Sequence, residues 1–254
     1  MNRFLAGSPQ IGSLARQAYE LDGFIVVDGL FEPLVMADWK RRITEHINKW
    51  PQQSRDPSTG RLIEASKTGV TVWMARGNPA CPPDFIDELC GPEVSNVLGA
   101  IVGNSLQFLS TKPVLKTGII SYASPWHQDD QYWKGSTKHS IWIAIDDAEV
   151  SNGCLRVVPG THLRSFEHQQ VHASEGFDYR LDGESFEAEA LSVPLKAGSA
   201  IFFHDRLVHA SHANTNGCDR FCMIPTYRSA EEPDDSPIWP DGAHHFSALS
   251  ERGI

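Results

Sequence analysis

Hydrophobic positions divide the chain into two parts of different character. Before about residue 104 they recur at helical spacing, with one stripe within 11–18 and a second within 35–47. A short β-branched run between these stretches, Phe24–Asp28, is typical of a strand. A third helical stretch is predicted over 83–103, after the polar residues 51–70, which predict a surface loop.

After about residue 105 the chain consists of short β-rich runs separated by Gly, Pro, Asn and Asp. Strands are predicted at 106–110, 118–121, 140–146, 155–158, 191–194, 200–203 and 220–227. This pattern indicates an antiparallel sandwich or barrel rather than alternating βαβ units. The polar stretch 164–190 lacks periodicity and predicts a long insertion loop that could act as a lid.

No linker divides the chain convincingly, so we expect a single domain over residues 1–254. Its predicted parts are helical support over about 1–104, a β core over about 105–228 and a weakly structured tail at 229–254.

Composition and charge narrow the class of protein. The chain has 254 residues, of which 41% are hydrophobic, and it contains no apolar run long enough to cross a bilayer. A net charge of -10 argues against a nucleic-acid surface but not against a small anionic ligand held by a few local cations. The five scattered cysteines form no CxxC pair, and the N-terminus lacks a signal-peptide pattern. We therefore expect a cytoplasmic protein, monomeric or homodimeric, that binds neither nucleic acid nor a membrane.

The run from Ser124 to Trp133 carries the most informative chemistry. On an extended strand, residues i and i+2 share a face, so His127 and Asp129 would lie side by side while Gln128 points away. Two histidines and one carboxylate on one octahedral face are diagnostic of non-haem Fe(II) oxygenases, whereas zinc prefers four-coordinate sites. An HxD pair alone is weak evidence. The third ligand would come from one of three nearby histidines, which are His204, His209 and His212.

Four separated motifs, in order, add a family resemblance. From about residue 20 to 228 the chain resembles the phytanoyl-CoA dioxygenase (PhyH-like) family of Fe(II)/2-oxoglutarate oxygenases. The motifs are Trp126-His-Gln-Asp129 with Tyr132-Trp133, the run from Asn152 to His162, His209-x-Ser211-x-x-Asn214, and Arg220. The stretch 22–31 also resembles the family's opening. The resemblance implies a mainly β fold with flanking helices, whose core is a double-stranded β-helix (jelly roll, cupin-like).

The resemblance also implies roles for individual residues. His127, Asp129 and His209 would be the iron ligands, and Arg220 with Ser211 would bind the far carboxylate of 2-oxoglutarate. An arginine suits this role because its planar fork binds a carboxylate bidentately. Which of three residues on one predicted strand also meets 2-oxoglutarate stays open; they are Ser110, Thr111 and Lys112.

The implied activity is an Fe(II)- and 2-oxoglutarate-dependent dioxygenase that uses O2 to hydroxylate an aliphatic C–H bond of a small metabolite, releasing succinate and CO2. Halogenating members of the family have a small residue in place of Asp129, so the carboxylate favours oxygenation. The candidate substrate residues are Gln131, Tyr132, Trp133 and Trp142, the last of which could equally be a core aromatic. Further candidate anion contacts are Lys112, Lys116 and Arg156.

Several alternatives remain at this stage. The same cofactors could support desaturation or oxidative cyclisation, and a jelly roll could instead be a non-catalytic binding module or a zinc or manganese hydrolase or isomerase. Among the other histidines, we expect a structural role for His162 and solvent exposure for His168 and His172, and His244-His245 resembles no site.

Overall fold

The structure is a computed structural model that describes residues 1–49, 70–71, 74–75, 85–116, 118, 123–133, 135–170, 179–233 and 244–248. Nearly all of the predicted loop at 51–70 and most of the predicted strand at 118–121 lie outside these residues.

The N-terminal part combines helices with short strands. Its elements are β1 (Arg3–Leu5), α1 (Ser13–Asp22), β2 (Phe24–Asp28), α2 (Pro33–Lys49), β3 (Val70–Thr71), β4 (Met74–Ala75), α3 (Ile86–Leu89) and α4 (Pro92–Ile101). The prediction of one helix over 83–103 is wrong, because Gly91 is extended at φ −69° and ψ 176° and Pro92 begins a new helix. A residue before proline is pushed out of the helical region, and proline itself has no N–H to continue the ladder.

Most of the remaining elements are strands. They are β5 (Ser105–Lys116), β6 (His139–Ala144), β7 (Leu155–Val157), β8 (Gln169–Gln170), β9 (Tyr179–Arg180), β10 (Leu191–Val193), β11 (Ala200–His204), β12 (His209–Ser211), β13 (Arg220–Ser229) and β14 (His244–Ser247).

These strands form a large sheet, a small sheet and a hairpin. The large sheet has the order β1-β2-β11-β6-β13-β5-β14, with β3 and β4 also pairing with β5; the small sheet has the order β10-β7-β12, and β8 pairs with β9. The inner face of the large sheet, which we define as the face toward the small sheet, contributes Trp142, Phe203 and Cys222 to a core shared with Leu155 and Val157 of the small sheet. The predicted jelly-roll fold is confirmed.

The outer face of the large sheet packs against the helices. Ile141, Phe202 and Met223 from this face share a second core with Trp39 of α2 and Leu98 of α4. The helical layer therefore stabilises the back of the sheet and leaves the inner face for a site. None of the described helices is both long and apolar enough to cross a membrane.

Two segments predicted as irregular contain short regular elements. The tail, predicted as weakly structured, contributes β14, which pairs antiparallel with β5 and places Phe246 opposite Leu106. Within the predicted loop at 164–190, the structure forms the β8–β9 hairpin and a 3-10 turn at Gly183–Ser185; residues 171–178 lie outside the described part.

Candidate metal centre and cosubstrate site

The three residues predicted as iron ligands lie together in the interior. His127, Asp129 and His209 are all buried, and one potential ligand atom from each lies within 4.8 Å of the others. The Nε2 atom of His127 is 3.6 Å from Oδ1 of Asp129, and the Nε2 atom of His209 is 3.9 Å from the same oxygen. Two imidazole nitrogens and one carboxylate oxygen thus face a common point.

Backbone pairing brings the two imidazoles together. His127 and His209 form an isolated antiparallel bridge with reciprocal N–H···O bonds of 3.0 Å, and their ring centroids are 4.2 Å apart. The predicted extended strand reaches only to Gln128, because Asp129 begins a 3-10 turn at Asp129–Gln131. The Gln128 amide points away, as predicted, and donates to the carbonyl oxygens of Arg164 and Arg206.

Hydrogen bonds fix which nitrogen of each imidazole faces the cluster. Nδ1 of His127 donates to the carbonyl of Pro125 at 2.8 Å, and Nδ1 of His209 donates to the carbonyl of Leu207 at 2.9 Å. A carbonyl only accepts, so Nε2 carries the lone pair in each ring. Burial, and then the neighbouring His209, lower the pKa of His127 well below its ordinary value, which keeps this imidazole neutral. This donor set fits Fe(II).

Asp205 holds the turn that carries Asp129 through hydrogen bonds. The sequence analysis did not predict this role for Asp205. Its backbone oxygen accepts from the N–H groups of Asp129 at 2.7 Å and Asp130 at 3.2 Å. Its carboxylate accepts from the backbone N–H of Lys138 at 2.9 Å and from Nε1 of Trp133 at 3.2 Å. Nothing in the sequence distinguishes this aspartate from others in loops.

A cationic corner lies at the end of the inner face, beside β12. Lys116 pairs in register with Arg220, and its Nζ donates to Oγ of Ser211 at 2.8 Å. Arg220 is only 2% exposed, and its Nε and Nη1 have no hydrogen-bond partner among the described residues. Burial and the nearby Arg220 lower the pKa of Lys116 to about 7. Two buried cationic groups and a hydroxyl form a suitable receptor for a carboxylate.

Trp142 lies against this corner. It belongs to the core between the sheets, and the Arg220 guanidinium lies 4.9 Å from its ring centroid. The contact is a cation–π interaction. Trp142 is thus a core aromatic and also a neighbour of the predicted carboxylate receptor for 2-oxoglutarate, whereas its substrate contact stays a prediction.

The three predicted residues after the metal motif have different surroundings. Tyr132 contacts His127 edge-on, with ring centroids 6.2 Å apart, and its ring also meets Tyr179 of β9 at 5.6 Å. The insertion 164–190 therefore reaches the metal side through β9. Trp133 is buried and bonded to Asp205, so it anchors the loop, and the half-buried Gln131 donates to Asp130.

Strand alternation separates the three candidates on β5. Lys112 faces the interior and lies close enough to His127 to contribute to the lowered pKa of that imidazole. Ser110 shares this inner face. Thr111 lies opposite Pro225 and Met74 on the other face, so the structure does not bring it to the site. Arg156 is engaged elsewhere, in an ion pair with Glu187.

The other histidines near the motifs, where the structure describes them, do not join the cluster. His204 pairs with Asp205 at 3.0 Å, and Nε2 of His212 contacts Oγ of Ser192 at 2.8 Å. His162 contacts the carbonyl of Glu20 at 3.2 Å, a structural role of the kind expected. The prediction that His168 is solvated is wrong, because its Nε2 accepts from the backbone N–H of Gln128 at 3.0 Å. His172 lies outside the described residues.

Sequence comparison identifies relatives of this chain. The phytanoyl-CoA dioxygenase (PhyH) family matches residues 19–222. A phytanoyl-CoA dioxygenase domain-containing protein 1 homologue of Caenorhabditis briggsae is 34% identical, over 81% of this chain and 86% of that protein. An L-proline trans-4-hydroxylase of Streptomyces griseoviridis is 26% identical, over 62% of this chain and 69% of that protein. A match to a phytanoyl-CoA dioxygenase of Arabidopsis thaliana is 31% identical but spans 37% of this chain and 34% of that protein.

Structural comparison supports the same fold. The epimerase SnoN, solved with Fe3+, α-ketoglutarate and a nogalamycin compound, superimposes with a TM-score of 0.67 at 19% identity, over 88% of this chain and 85% of that one. With the family match covering most of the sequence, this chain belongs to the phytanoyl-CoA dioxygenase (PhyH) family of Fe(II)- and 2-oxoglutarate-dependent oxygenases.

Proposed function

We propose that this enzyme hydroxylates an aliphatic C–H bond of a small metabolite, with Fe(II) held by His127, Asp129 and His209. The observation that carries the proposal is the position of the metal cluster beside the cationic corner. His209 and Ser211 lie on the same three-residue strand, so one element contributes both to the metal cluster and to the carboxylate receptor.

Each residue of the cationic corner would contribute a different group to the binding of 2-oxoglutarate. Arg220 would bind the far carboxylate through its two nitrogens that have no partner among the described residues, while Ser211 and Lys116 would add a hydroxyl and an ammonium. Bound iron and 2-oxoglutarate supply the activation of O2 that oxidises the substrate, with release of succinate and CO2.

The chain's own residues orient the ligands and exclude water. The Pro125 and Leu207 carbonyls hold the two imidazoles in the tautomer that a metal requires. The contact between Tyr132 and Tyr179 would cover the metal side of the site and limit its access to solvent.

A hydroxylation of a small molecule agrees with the activity named for one relative, L-proline trans-4-hydroxylase. Asp129 keeps a carboxylate in the position that is small in halogenating members of the family. Desaturation and oxidative cyclisation remain the alternatives, and mass analysis of the product, which gains one oxygen atom only on hydroxylation, would distinguish them.

The test is anaerobic reconstitution with Fe(II) and 2-oxoglutarate, followed by visible absorption. The wild-type protein should develop the weak charge-transfer band of chelated 2-oxoglutarate. The band should be absent in His127→Ala, and in Arg220→Ala it should require a much higher 2-oxoglutarate concentration.

His212→Gln is the matched control, because His212 lies three residues from His209 but bonds to Ser192. It should keep the band. A folded wild-type protein that develops no band, or a His127→Ala variant that keeps it, would refute the proposed metal site.

A further inference from the structure

Three buried hydroxyl residues form one row across the inner face of the large sheet. Thr226 of β13 pairs with Ser110 of β5 on one side and with Ser140 of β6 on the other. Cross-strand partners point to the same face, and Thr226 lies four residues from Cys222, which belongs to the core between the sheets. We call these three residues the inner hydroxyl row. They are 1%, 2% and 1% exposed in the order Ser110, Thr226, Ser140.

Two of the hydroxyls have no partner within the described part of the chain. The Oγ atoms of Ser110 and Ser140 are buried and have no hydrogen-bond partner among the described residues. Buried side-chain hydroxyls are normally bonded, because an unpartnered hydroxyl loses its water without compensation. Two such groups in one row, on the strands that flank Thr226, indicate that a ligand supplies the missing partner.

The inner hydroxyl row lies at the level of the metal cluster. Phe203 of β11 pairs with Ser140 and extends the row, and its ring lies 5.0 Å from the ring of the candidate ligand His209. The row is also distinct from the cationic corner, because Lys116 and Arg220 lie six residues away from Ser110 and Thr226 on their strands. At about 3.3 Å per residue, that separation exceeds the length of 2-oxoglutarate along the sheet.

A positive charge lies next to the row. Lys112 is two residues from Ser110 on the same face and pairs with Ile224, which packs against the core between the sheets. An ammonium next to Ser110, on the same sheet face as the hydroxyl of Ser140, can form a receptor for an anion with several acceptor oxygens, and a carboxylate fits it.

We propose that Ser110, Ser140 and Lys112 form the substrate subsite of this enzyme and that the substrate is a small molecule whose carboxylate they bind. The inference rests on the proposed function, since a bound substrate must reach the metal from the side that 2-oxoglutarate leaves open. It adds the chemical class of the substrate and the residues that recognise it.

The first experiment asks whether the enzyme selects acids. The wild-type protein with Fe(II), 2-oxoglutarate and O2 is incubated with the proteinogenic L-amino acids, with short linear and cyclic carboxylic acids, and with the primary amide of each. Succinate release above the rate without substrate is measured. At least one acid should stimulate release, and its amide should not.

The second experiment assigns that selectivity to residues. Ser110→Ala and Ser140→Ala should each raise KM for the stimulating acid by about tenfold, as expected for one hydrogen bond to a charged group. Lys112→Met should abolish the preference for the acid over its amide. The matched control is Ser95→Ala, a serine equally buried but on α4, which should leave KM unchanged.

A third measurement needs no substrate. Because neither serine hydroxyl has a partner among the residues that the structure describes, Ser110→Ala and Ser140→Ala should leave Tm unchanged or raise it. A fall of more than about 3 °C in either variant would mean that the hydroxyl stabilises the fold, and it would overturn the inference.

The outcomes separate this inference from the proposed function. If the charge-transfer band forms but no acid stimulates succinate release, or only uncharged compounds do, the subsite is overturned and the proposed function stands. If the serine variants weaken 2-oxoglutarate binding in the anaerobic titration, the row belongs to the cosubstrate and the inference is again overturned. If the wild-type protein gives no band, the proposed function fails and the subsite fails with it.

Discussion

Arg220 is a buried guanidinium that lies 4.9 Å from the ring centroid of Trp142. Two of its nitrogens lack a partner among the described residues, so the chain bears a desolvation cost that a bound carboxylate would offset. The buried guanidinium therefore lowers the stability of the protein without cosubstrate, and bound 2-oxoglutarate would restore it.

Arg220→Met should therefore separate stability from binding. The free energy of unfolding without cosubstrate should stay unchanged or rise by about 1 kcal/mol, because a methionine fills the space without a buried charge. The Kd for 2-oxoglutarate should rise at least about 30-fold, or ~2 kcal/mol. Urea unfolding and anaerobic titration measure the two quantities. A loss of stability of ~2 kcal/mol or more would show that the guanidinium has partners in the free protein.

Lys116 should make 2-oxoglutarate binding sensitive to pH. Its pKa is lowered to about 7 by burial and by Arg220, so above pH 7 the free protein holds a neutral amine. Binding a carboxylate favours the ammonium and must then take up a proton. The Kd should rise with pH above 7, by up to about tenfold per pH unit, and this group should add no dependence below pH 7. Titrations at several pH values test this.

Lys116→Met provides the comparison, since it removes the titrating group. Its Kd should be higher than that of the wild type at pH 6 and should lose the component that rises above pH 7. Identical pH profiles for the two proteins would exclude Lys116 from the receptor.

At the scale of elements, the metal cluster depends on how one turn is held against one loop. Asp205 lies after β11 and bonds to the turn Asp129–Gln131 through its backbone and to β6 through Lys138. Burial opposes ionisation of Asp205, but hydrogen bonds from His204, Lys138 and Trp133 outweigh it and keep its pKa below the ordinary value. The loop and the turn are thus fixed together by a charged group.

Asp205→Ala should lower Fe(II) affinity by about 10- to 100-fold, as is usual when a residue that orients a ligand is removed. Asp205→Asn keeps one oxygen acceptor and should lose less. Competition with a chromophoric chelator measures the affinity, and Asp147→Ala, a surface carboxylate paired with Lys196, is the control. Equal affinities in the wild type and Asp205→Ala would exclude this bracing role.

The sequence could predict those side-chain directions that follow from the alternation of residues along an extended chain. The opposed directions of His127 and Gln128 follow from the period of an extended chain, and Phe24–Asp28 matches β2 because its β-branched run has clear boundaries. By contrast, the placement of Thr111, Lys116 and Asp205 depends on register between distant strands and on loop contacts. Neither is encoded in local periodicity.

The strand predicted at 106–110 is shorter than β5, which continues to Lys116, for a related reason. Polar side chains on its inner face, Ser110, Lys112 and Lys116, interrupt the hydrophobic pattern and resemble the end of a strand. They are polar because that face borders the candidate site. The errors in the strand prediction therefore coincide with the residues to which we assign function.

For the whole molecule, the outer edge of β5 is covered by several short strands in succession. β14 pairs with residues 105–108, β4 with 110–111 and β3 with 114–115. An uncovered edge of this length would be a template for pairing with other chains. β14 also brings Phe246 against Tyr227, with ring centroids 5.9 Å apart.

Truncation after residue 243 should lower the free energy of unfolding by about 2 kcal/mol or more, since it removes Phe246 and the buried Ala248 from the core. It should also promote self-association through the exposed edge. Thermal unfolding and light scattering measure these effects, and truncation after residue 248 is the control. If the two truncated proteins behave alike, β14 does not protect the sheet.

The large sheet separates two apolar compartments, and this division has an evolutionary consequence. Residues on its outer face, such as Ile141 and Met223, are committed to packing against the helices, whereas their neighbours Ser140 and Cys222 face the other way. A mutation at an inward position can alter which molecule is accepted without disturbing the helical layer behind it. The same strands can therefore diversify in specificity while the architecture that supports them is inherited unchanged.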